Sequence, residues 1–284
     1  MKQFWPNRVA AFALPIVFVG IAGCSHESEK GAAVPTPKPV VFDHQHPGLA
    51  KVLAKVSDGF GMVDYGLLKK DPAELEAYLN LVATVPHSQF DGWTRPRRMA
   101  FLLNVYNATT LKLLADHHPV LSIKEIGGLR SVWHLKVARL FGKKISLKFL
   151  EDELIRKQFN SPAVHFALVC GSRGCPLLRR EPYTADKLED QFAEQAREFL
   201  RDPKKNYVDL ESKTVFLSPV FLWFREDFGK TDAEVIALVA KHFEAPERKA
   251  LAKGGFTIKY IQFDWGVNQS PPSEKYLAPK TGTR

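Results

Sequence analysis

The chain has 284 residues, of which 45% are hydrophobic and 25% charged, and its formal net charge is +9. This is the composition of an ordinary globular protein, and the length is sufficient for a hydrophobic core that needs no disulfide to hold it. The basic residues are scattered along the sequence and are not concentrated in a patch beside aromatic residues. We therefore expect no nucleic-acid partner.

Residues 1–23 are predicted to be a lipoprotein signal peptide. Two positive charges precede a largely apolar run over 9–22, which is shorter than the about 20 residues that cross a bilayer. The run ends in Ile21-Ala22-Gly23-Cys24, which resembles the lipobox of bacterial lipoproteins. The resemblance implies lipidation of Cys24 and, because Ser25 follows it, attachment to the outer membrane facing the periplasm. We therefore expect a cell-envelope protein that is anchored to the membrane by lipid on Cys24.

The rest of the chain divides by composition. Residues 24–42 are rich in Ser, Gly and Pro and read as a tether. Residues 43–269 show hydrophobic periodicity throughout, without a linker or an internal repeat, and are predicted to form a single globular domain. Residues 270–284 form a polar tail.

Helices dominate the predicted domain. The longest should run from Arg95 to about His117, where Pro119 stops it, and it carries Asn104 and Asn107 beside a wide apolar face. Asn is a poor helix former, so these two amides either tie neighbouring loops by hydrogen bonds or orient a catalytic group. Shorter helices are predicted over 43–56, 71–82, 147–159, 184–199, 219–228, 231–242 and 246–252.

Strands are predicted to be few and short. Residues 131–146 suggest two strands around a turn, 207–217 a hairpin, and 257–263 a final strand. The fold class is therefore α+β, a single mostly helical domain around a small mixed β-sheet.

The stretch from His165 to Leu178 is the most informative in the chain. An apolar run over 166–169 predicts a buried strand, and a glycine-punctuated turn over 171–174 then leads to Cys175 and Pro176. The pattern indicates a strand that stops, turns sharply and presents Cys175 where backbone N–H groups converge.

Four segments together resemble domain of unknown function family 547. They are FLLNVYNATTLKLL (Phe101–Leu114), HFALVCGSRGCPLL (His165–Leu178), VFLWFREDFG (Val220–Gly229) and IQFDWGVN (Ile261–Asn268). Leu102-Leu103 stand where the resemblance would lead one to expect Trp-Ile. The resemblance implies a fold family and leaves the activity open.

Our leading functional hypothesis is a papain-like thiol hydrolase that acts on an amide or thioester bond in the envelope. Cys175 would be the nucleophile, since a helix start and nearby arginines lower a thiol pKa, and His165 or His134 would be its base. The remaining candidate site residues are Asn104 and Asn107 as catalytic orienters, and Cys170, Arg173, Glu226, Asp227 and Asp264 as binding residues.

The alternative is a non-catalytic envelope module that binds or scaffolds a partner, with a Cys170–Cys175 disulfide. A metal site at His165 and the two cysteines is disfavoured, because no paired C-x-x-C motif completes the ligand set. We expect no cofactor and no metal. The aromatic residues Trp223 and Phe224 are expected to be core packing, not a ligand cage.

Overall fold

The computed structural model describes residues 41–270 and is about 51% helical, with two small sheets. The α-helices are α1 (Pro47–Val56), α2 (Tyr65–Lys70), α3 (Ala73–Ala83), α4 (His87–Asp91), α5 (Arg95–His117), α6 (Leu147–Phe149), α7 (Lys157–Phe159), α8 (Leu188–Arg201), α9 (Val220–Trp223), α10 (Arg225–Phe228), α11 (Asp232–Ala240) and α12 (Ala245–Ala252). A π-helical segment (Leu150–Arg156) joins α6 to α7, and 3-10 helices cover Ile123–Glu125, Val132–His134 and Pro162–Phe166.

Helix α5 lies at the centre of the larger hydrophobic core. Pro96 stands in its first turn, where no intrahelical N–H donor is needed, and the helix ends two residues before Pro119. Most of its 23 residues are buried, because α2, α3 and the π segment pack around it. The predicted bounds of this helix are confirmed. The sequence predicts burial of one wide apolar face, whereas other elements pack against the helix on several faces.

The strands form two separate sheets. They are β1 (Ala138–Leu140), β2 (Lys143–Ile145), β3 (Tyr207–Asp209), β4 (Thr214–Leu217) and β5 (Thr257–Tyr260). Strands β1 and β2 form an antiparallel hairpin, and the other three have the order β3-β4-β5. The β3–β4 pair is antiparallel and the β4–β5 pair parallel, so α9 to α12 form the crossover that returns the chain. Val215 and Leu217 of β4 are fully buried in a second core cluster beneath this mixed sheet.

The predicted strand after His165 is wrong. Residues 162–166 form a 3-10 helix instead, and the following residues are irregular up to the turn at Ser172. The run is buried among helices, and the backbone N–H of Val169 donates to the side-chain oxygen of Asn107 at 2.9 Å. A short apolar run indicates burial but does not by itself distinguish a strand from other buried backbone.

The predicted fold class, a mostly helical α+β domain, is confirmed. The predicted hairpin and final strand are present as β3–β4 and β5. Thr231 caps α11 with a complete capping box. The predicted signal peptide, the polar tail beyond Ser270 and all but the end of the predicted tether lie outside the described residues. Within residues 41–270, no helix combines the length and the apolar character needed to cross a bilayer.

Candidate functional site

An aromatic cavity of about 180 Å³ opens where the two core clusters meet. Its aromatic walls are Trp133, Trp223, Phe224, Phe263 and Trp265. Trp223 is 47% exposed, so the prediction that it belongs to the core is wrong. It stacks on Trp265 with ring centres 5.4 Å apart and contacts Phe263 at 4.9 Å. Exposed aromatic surface beside a cavity is typical of ligand-binding sites.

Both cysteines that the sequence singled out line this cavity, and they are joined by a disulfide. Their Cα atoms lie 6.1 Å apart, and the backbone N–H of Cys170 points at the Cys175 sulfur at 3.2 Å. Cys175 is only 5% exposed. In this structure Cys175 therefore carries no free thiol, unlike the nucleophile that we expected, because the turn between the two residues brings their sulfurs together.

Two glycines allow that turn. Gly171 has a φ of +79°, and a Cβ on it would lie 2.1 Å from a methyl carbon of Leu114. A Cβ on Gly174 would lie 2.9 Å from the ring of Phe263 and 3.0 Å from the backbone of Asp264. The disulfide loop is thus held tightly between α5 and the segment after β5.

His165 lies at the wall of the same cavity and is 3% exposed. Its Nε2 is 2.6 Å from a carboxylate oxygen of Asp227, and its ring stacks on Phe224 with centres 4.2 Å apart. Burial lowers the pKa of His165, and the bond to Asp227 offsets this only in part. We therefore assign a neutral imidazole that donates its Nε2 proton to an ionised Asp227.

The His165–Asp227 pair ends a chain of alternating charges. Lys148 contacts Asp152 at 2.6 Å, Asp152 contacts Arg156 at 2.7 Å, and Arg156 contacts Asp227 at 2.6 Å. The bonds to His165 and Arg156 hold the pKa of Asp227 well below its usual value. The two cations and two carboxylates of this chain balance one another when His165 is neutral.

Glu151 is a carboxylate of the cavity wall that stands outside this chain. It lies in the π segment, and the hydroxyl of Tyr106 on α5 is 3.3 Å from its Oε2. Burial, followed by the negative charge of Asp152, raises the pKa of Glu151 to about 7. π-Helical turns are rare and frequently occur at functional sites.

The amides of Asn104 and Asn107 bind backbone groups. Asn104 donates to the carbonyl of Tyr183 at 2.7 Å and accepts from the N–H of the same residue at 2.9 Å. Asn107 donates to the carbonyl of Ala167 at 3.0 Å and accepts from Val169. Neither residue lines the cavity. These contacts fit the structural interpretation of the two amides and not an orienting role at His165.

The other predicted site residues lie apart from His165. His134 and Glu226 are exposed and do not line the aromatic cavity. Arg173 forms a two-point ion pair with Asp264, at 2.8 and 3.2 Å. That pair lines a second cavity of about 500 Å³, which shares Cys175, Pro176 and Phe263 with the first.

Glu151, Tyr106 and the aromatic walls are parts of the site that the sequence does not predict. Glu151 reads as an ordinary acidic residue in the first turn of a helix, where the dipole favours it. Trp223 and Phe224 read as packing for the same reason that most aromatic residues do. Among residues 41–270, no group of three His, Cys, Asp or Glu side chains is arranged to hold a metal ion.

The fold and the cavity define an α+β domain with an aromatic pocket built against a disulfide loop. Residues 90–200 match the family described as "Protein of unknown function, DUF547". This match supports the domain family for the segment that contains α5, Glu151, His165 and both cysteines. Comparison with curated proteins gives no match. Comparison with solved structures also gives none.

Proposed function

We propose that this chain is a lipid-anchored envelope protein whose domain binds a small ligand, or one group of a larger ligand, in the aromatic cavity with the disulfide intact. The observation that carries the proposal is that the Cys175 sulfur is bonded to Cys170 while both residues line an open pocket. A nucleophile needs a thiolate, and a disulfide sulfur is not one. The cavity is smaller than the usual range for drug-sized ligands, about 300–1,000 Å³, so it accommodates a compact group.

The tryptophans of the chain supply a direct test. Trp133, Trp223 and Trp265 line the cavity, whereas Trp93 packs against Phe90 and Phe101 and does not line it. The fifth tryptophan, Trp5, belongs to the predicted signal peptide. Indole ¹⁵N NMR of the purified full-length protein in detergent would be followed during titration with three compact probes. These are choline, its neutral isostere 3,3-dimethyl-1-butanol, and the anion 3,3-dimethylbutyrate.

We expect at least one probe to shift the three cavity indoles along a single saturable curve while the Trp93 signal stays in place. Trp223→Ala should weaken this binding about tenfold, since a central aromatic contact contributes roughly 1–2 kcal/mol. Leu222→Ala removes an equally exposed neighbour that does not line the cavity, and it should bind as the wild type does. No saturable shift with any of the three probes would overturn the proposed binding function.

A thiol hydrolase is the second candidate, and it applies to the reduced protein. The observation that favours it is that Cys175 and His165 line the same cavity, with His165 bonded to Asp227. After a dithiol reduces the disulfide, the free Nδ1 of His165 would take the Cys175 proton. The thiolate would add to the acyl carbon of an amide or thioester, expel the leaving group with that proton, and release the acid when water attacks.

Iodoacetamide labelling distinguishes the two candidates. The hydrolase requires that reduced protein be labelled at Cys175 and hydrolyse p-nitrophenyl acetate, and that Cys175→Ser lose both properties while Cys170→Ser retains them. Equal hydrolysis by the two variants removes Cys175 from the role. A disulfide that resists mild reduction in protein isolated from cells favours the binding module.

The lipid anchor is a separate part of the proposal and rests on the lipobox-like sequence ending at Cys24. Cys24→Ala should abolish palmitate labelling and remove the chain from the membrane fraction, because the acyl chains provide the attachment. Ser25→Ala leaves the cysteine in place and serves as the control. Continued labelling of the Cys24→Ala variant would contradict the anchor.

A further inference from the structure

The charge balance of the cavity wall singles out Glu151. Lys148 and Arg156 are each already bonded to a carboxylate, and the alternating chain that they form is neutral without Glu151. Among the residues that the structure describes, no lysine or arginine nitrogen lies within ion-pair distance of the Glu151 carboxylate. Its hydrogen-bond contact is the neutral hydroxyl of Tyr106. When Glu151 is ionised, the cavity therefore carries one negative charge without a counter-ion at ion-pair distance in residues 41–270.

The aromatic walls of the cavity offer surfaces that attract cations. Aromatic faces have a negative electrostatic potential and bind ammonium groups within about 6 Å of the ring centre. Two of the aromatic walls already contact cations of the protein. The ammonium of Lys124 lies 3.7 Å from the ring centre of Trp265. The guanidinium of Arg156 likewise lies 4.8 Å from the centre of Phe224. Trp223 keeps nearly half of its surface exposed.

We propose that the aromatic cavity binds an organic cation, the ammonium head of an amine or of a quaternary ammonium compound, with Glu151 as the counter-ion and the tryptophan faces as the walls. This inference rests on the proposed binding function and names the class of ligand. A compact ammonium head suits a cavity of this size, and it replaces the missing charge partner of Glu151. An anionic ligand would instead meet an unpaired carboxylate, while Lys148 and Arg156 are already paired with Asp152 and Asp227.

The groups around Glu151 make the binding depend on pH in a defined direction. Tyr106 faces it from α5, Asp152, Lys148 and Arg156 from its own helical stretch, and His165 lies on the same cavity wall. Of these, Tyr106 stays protonated, because burial raises its pKa well above 10, and His165 stays neutral at neutral pH. Glu151 is thus the group that titrates near neutrality, and a cation should bind its ionised form.

The test uses the same three probes and the same indole signals, at pH 8. Choline should bind at least about tenfold more tightly than 3,3-dimethyl-1-butanol, since the two have the same shape and only choline is charged. The anion 3,3-dimethylbutyrate should bind more weakly than the neutral alcohol. Below the pKa of Glu151, choline affinity should fall by up to about tenfold per pH unit, and the affinity of the alcohol should stay level.

Two isosteric variants separate the role of Glu151 from a general charge effect. Glu151→Gln should lose most of the choline preference and all of its pH dependence, since only the tryptophan faces then attract the cation. Glu153→Gln removes the same charge from the same π segment, but Glu153 is exposed towards Lys157, with which it pairs at 2.6 Å, and choline preference should remain. An unchanged Trp93 signal verifies that each variant is folded.

The outcomes distinguish this inference from the proposed function on which it rests. Equal affinities of wild-type protein for choline and the alcohol, or a choline preference that is undiminished in Glu151→Gln, overturn the cation inference and leave a binding module. Tightest binding of the anion does the same. The absence of saturable binding for all three probes overturns both the cation inference and the proposed binding function.

Discussion

The side-chain amide of Asn107 joins α5 to the segment that leads into the disulfide. It donates to the carbonyl of Ala167 and accepts from the N–H of Val169, so one side chain satisfies two buried backbone groups. Asn104 does the same for both backbone groups of Tyr183. A helix made only of apolar residues would leave these four groups unpaired, since none belongs to a helix or a sheet ladder. The cost of two poor helix formers within α5 is small beside that penalty.

We expect Asn107→Ala to destabilise the domain by about 2–4 kcal/mol, because each unpaired buried backbone group costs roughly 1–3 kcal/mol. Urea unfolding would measure the change. Asn80→Ala is the matched control, since Asn80 is exposed and bonded to Arg139, and it should change the free energy of unfolding by less than about 1 kcal/mol. A fully stable Asn107→Ala protein that has lost only its cavity function would instead favour the orienting role.

The disulfide loop depends on close contact between Gly171 and α5. Gly171→Ala places a methyl group against Leu114, a fully buried residue that has no room to move. Gly142→Ala is its control, because Gly142 has a similar positive φ of +71° and open space around its Cα. Both variants share the backbone strain of a left-handed residue, so their difference isolates the steric contact.

Overpacking a core costs about 1–3 kcal/mol, so Gly171→Ala should be less stable than Gly142→Ala by that amount. Thermal or urea unfolding of the two variants gives the difference directly. Equal stabilities would show that the loop moves away from Leu114 at little cost.

These elements also show how far the sequence predicts the fold. Helix α5 is predictable because its hydrophobic pattern is long and its ends are marked by Pro96 and Pro119. The segment after His165 is not, since its backbone partners are a side chain of α5 and a sulfur five residues away. The π segment leaves no sequence signal of its own, because its residues follow an ordinary helical pattern.

The candidate site is predictable only in part for a related reason. His165, Cys170, Cys175 and Asp227 stand out as residues with chemical potential, and the structure places all but Asp227 on the cavity wall, with Asp227 bonded to His165. The pairing of His165 with Asp227 is a tertiary contact across 62 residues, which no local pattern encodes. Glu151 differs from the neighbouring acids Asp152 and Glu153 in having a desolvated carboxylate without a cationic partner, and both differences are properties of the assembled cavity.

The stability of the whole domain should depend on pH through groups that titrate differently in the folded and unfolded chains. Burial lowers the pKa of His46 to about 3 and that of His242 to about 4. Below about pH 6.5 the unfolded chain binds protons at these histidines and the folded chain does not, so stability falls as the solution is acidified. Asp227 adds to this at lower pH, since its pKa in the folded protein is also depressed.

Glu151 acts in the opposite direction, and this separates it from the histidines. Its pKa of about 7 in the folded protein exceeds the ordinary glutamate value of 4.5, so the folded state retains a proton that the unfolded chain loses between those values. Its contribution to stability is therefore present below about pH 4.5 and is lost as the pH rises to 7 and above. The difference corresponds to at most about 3 kcal/mol.

We expect Glu151→Gln, which cannot ionise, to match the wild type at pH 4.5 and to exceed its free energy of unfolding by up to about 3 kcal/mol at pH 8. Urea unfolding at the two pH values measures both differences. Glu153→Gln should show no such gain, because Glu153 is paired with Lys157 at the surface. A saturating organic cation should narrow the gap at pH 8, since a ligand that binds only the folded state and pairs with the carboxylate stabilises the wild type more than Glu151→Gln. Equal stabilities of wild type and Glu151→Gln at pH 8 would mean that the carboxylate is solvated as well in the folded chain as in the unfolded one, and the cavity would then lack the unbalanced charge that selects a cation.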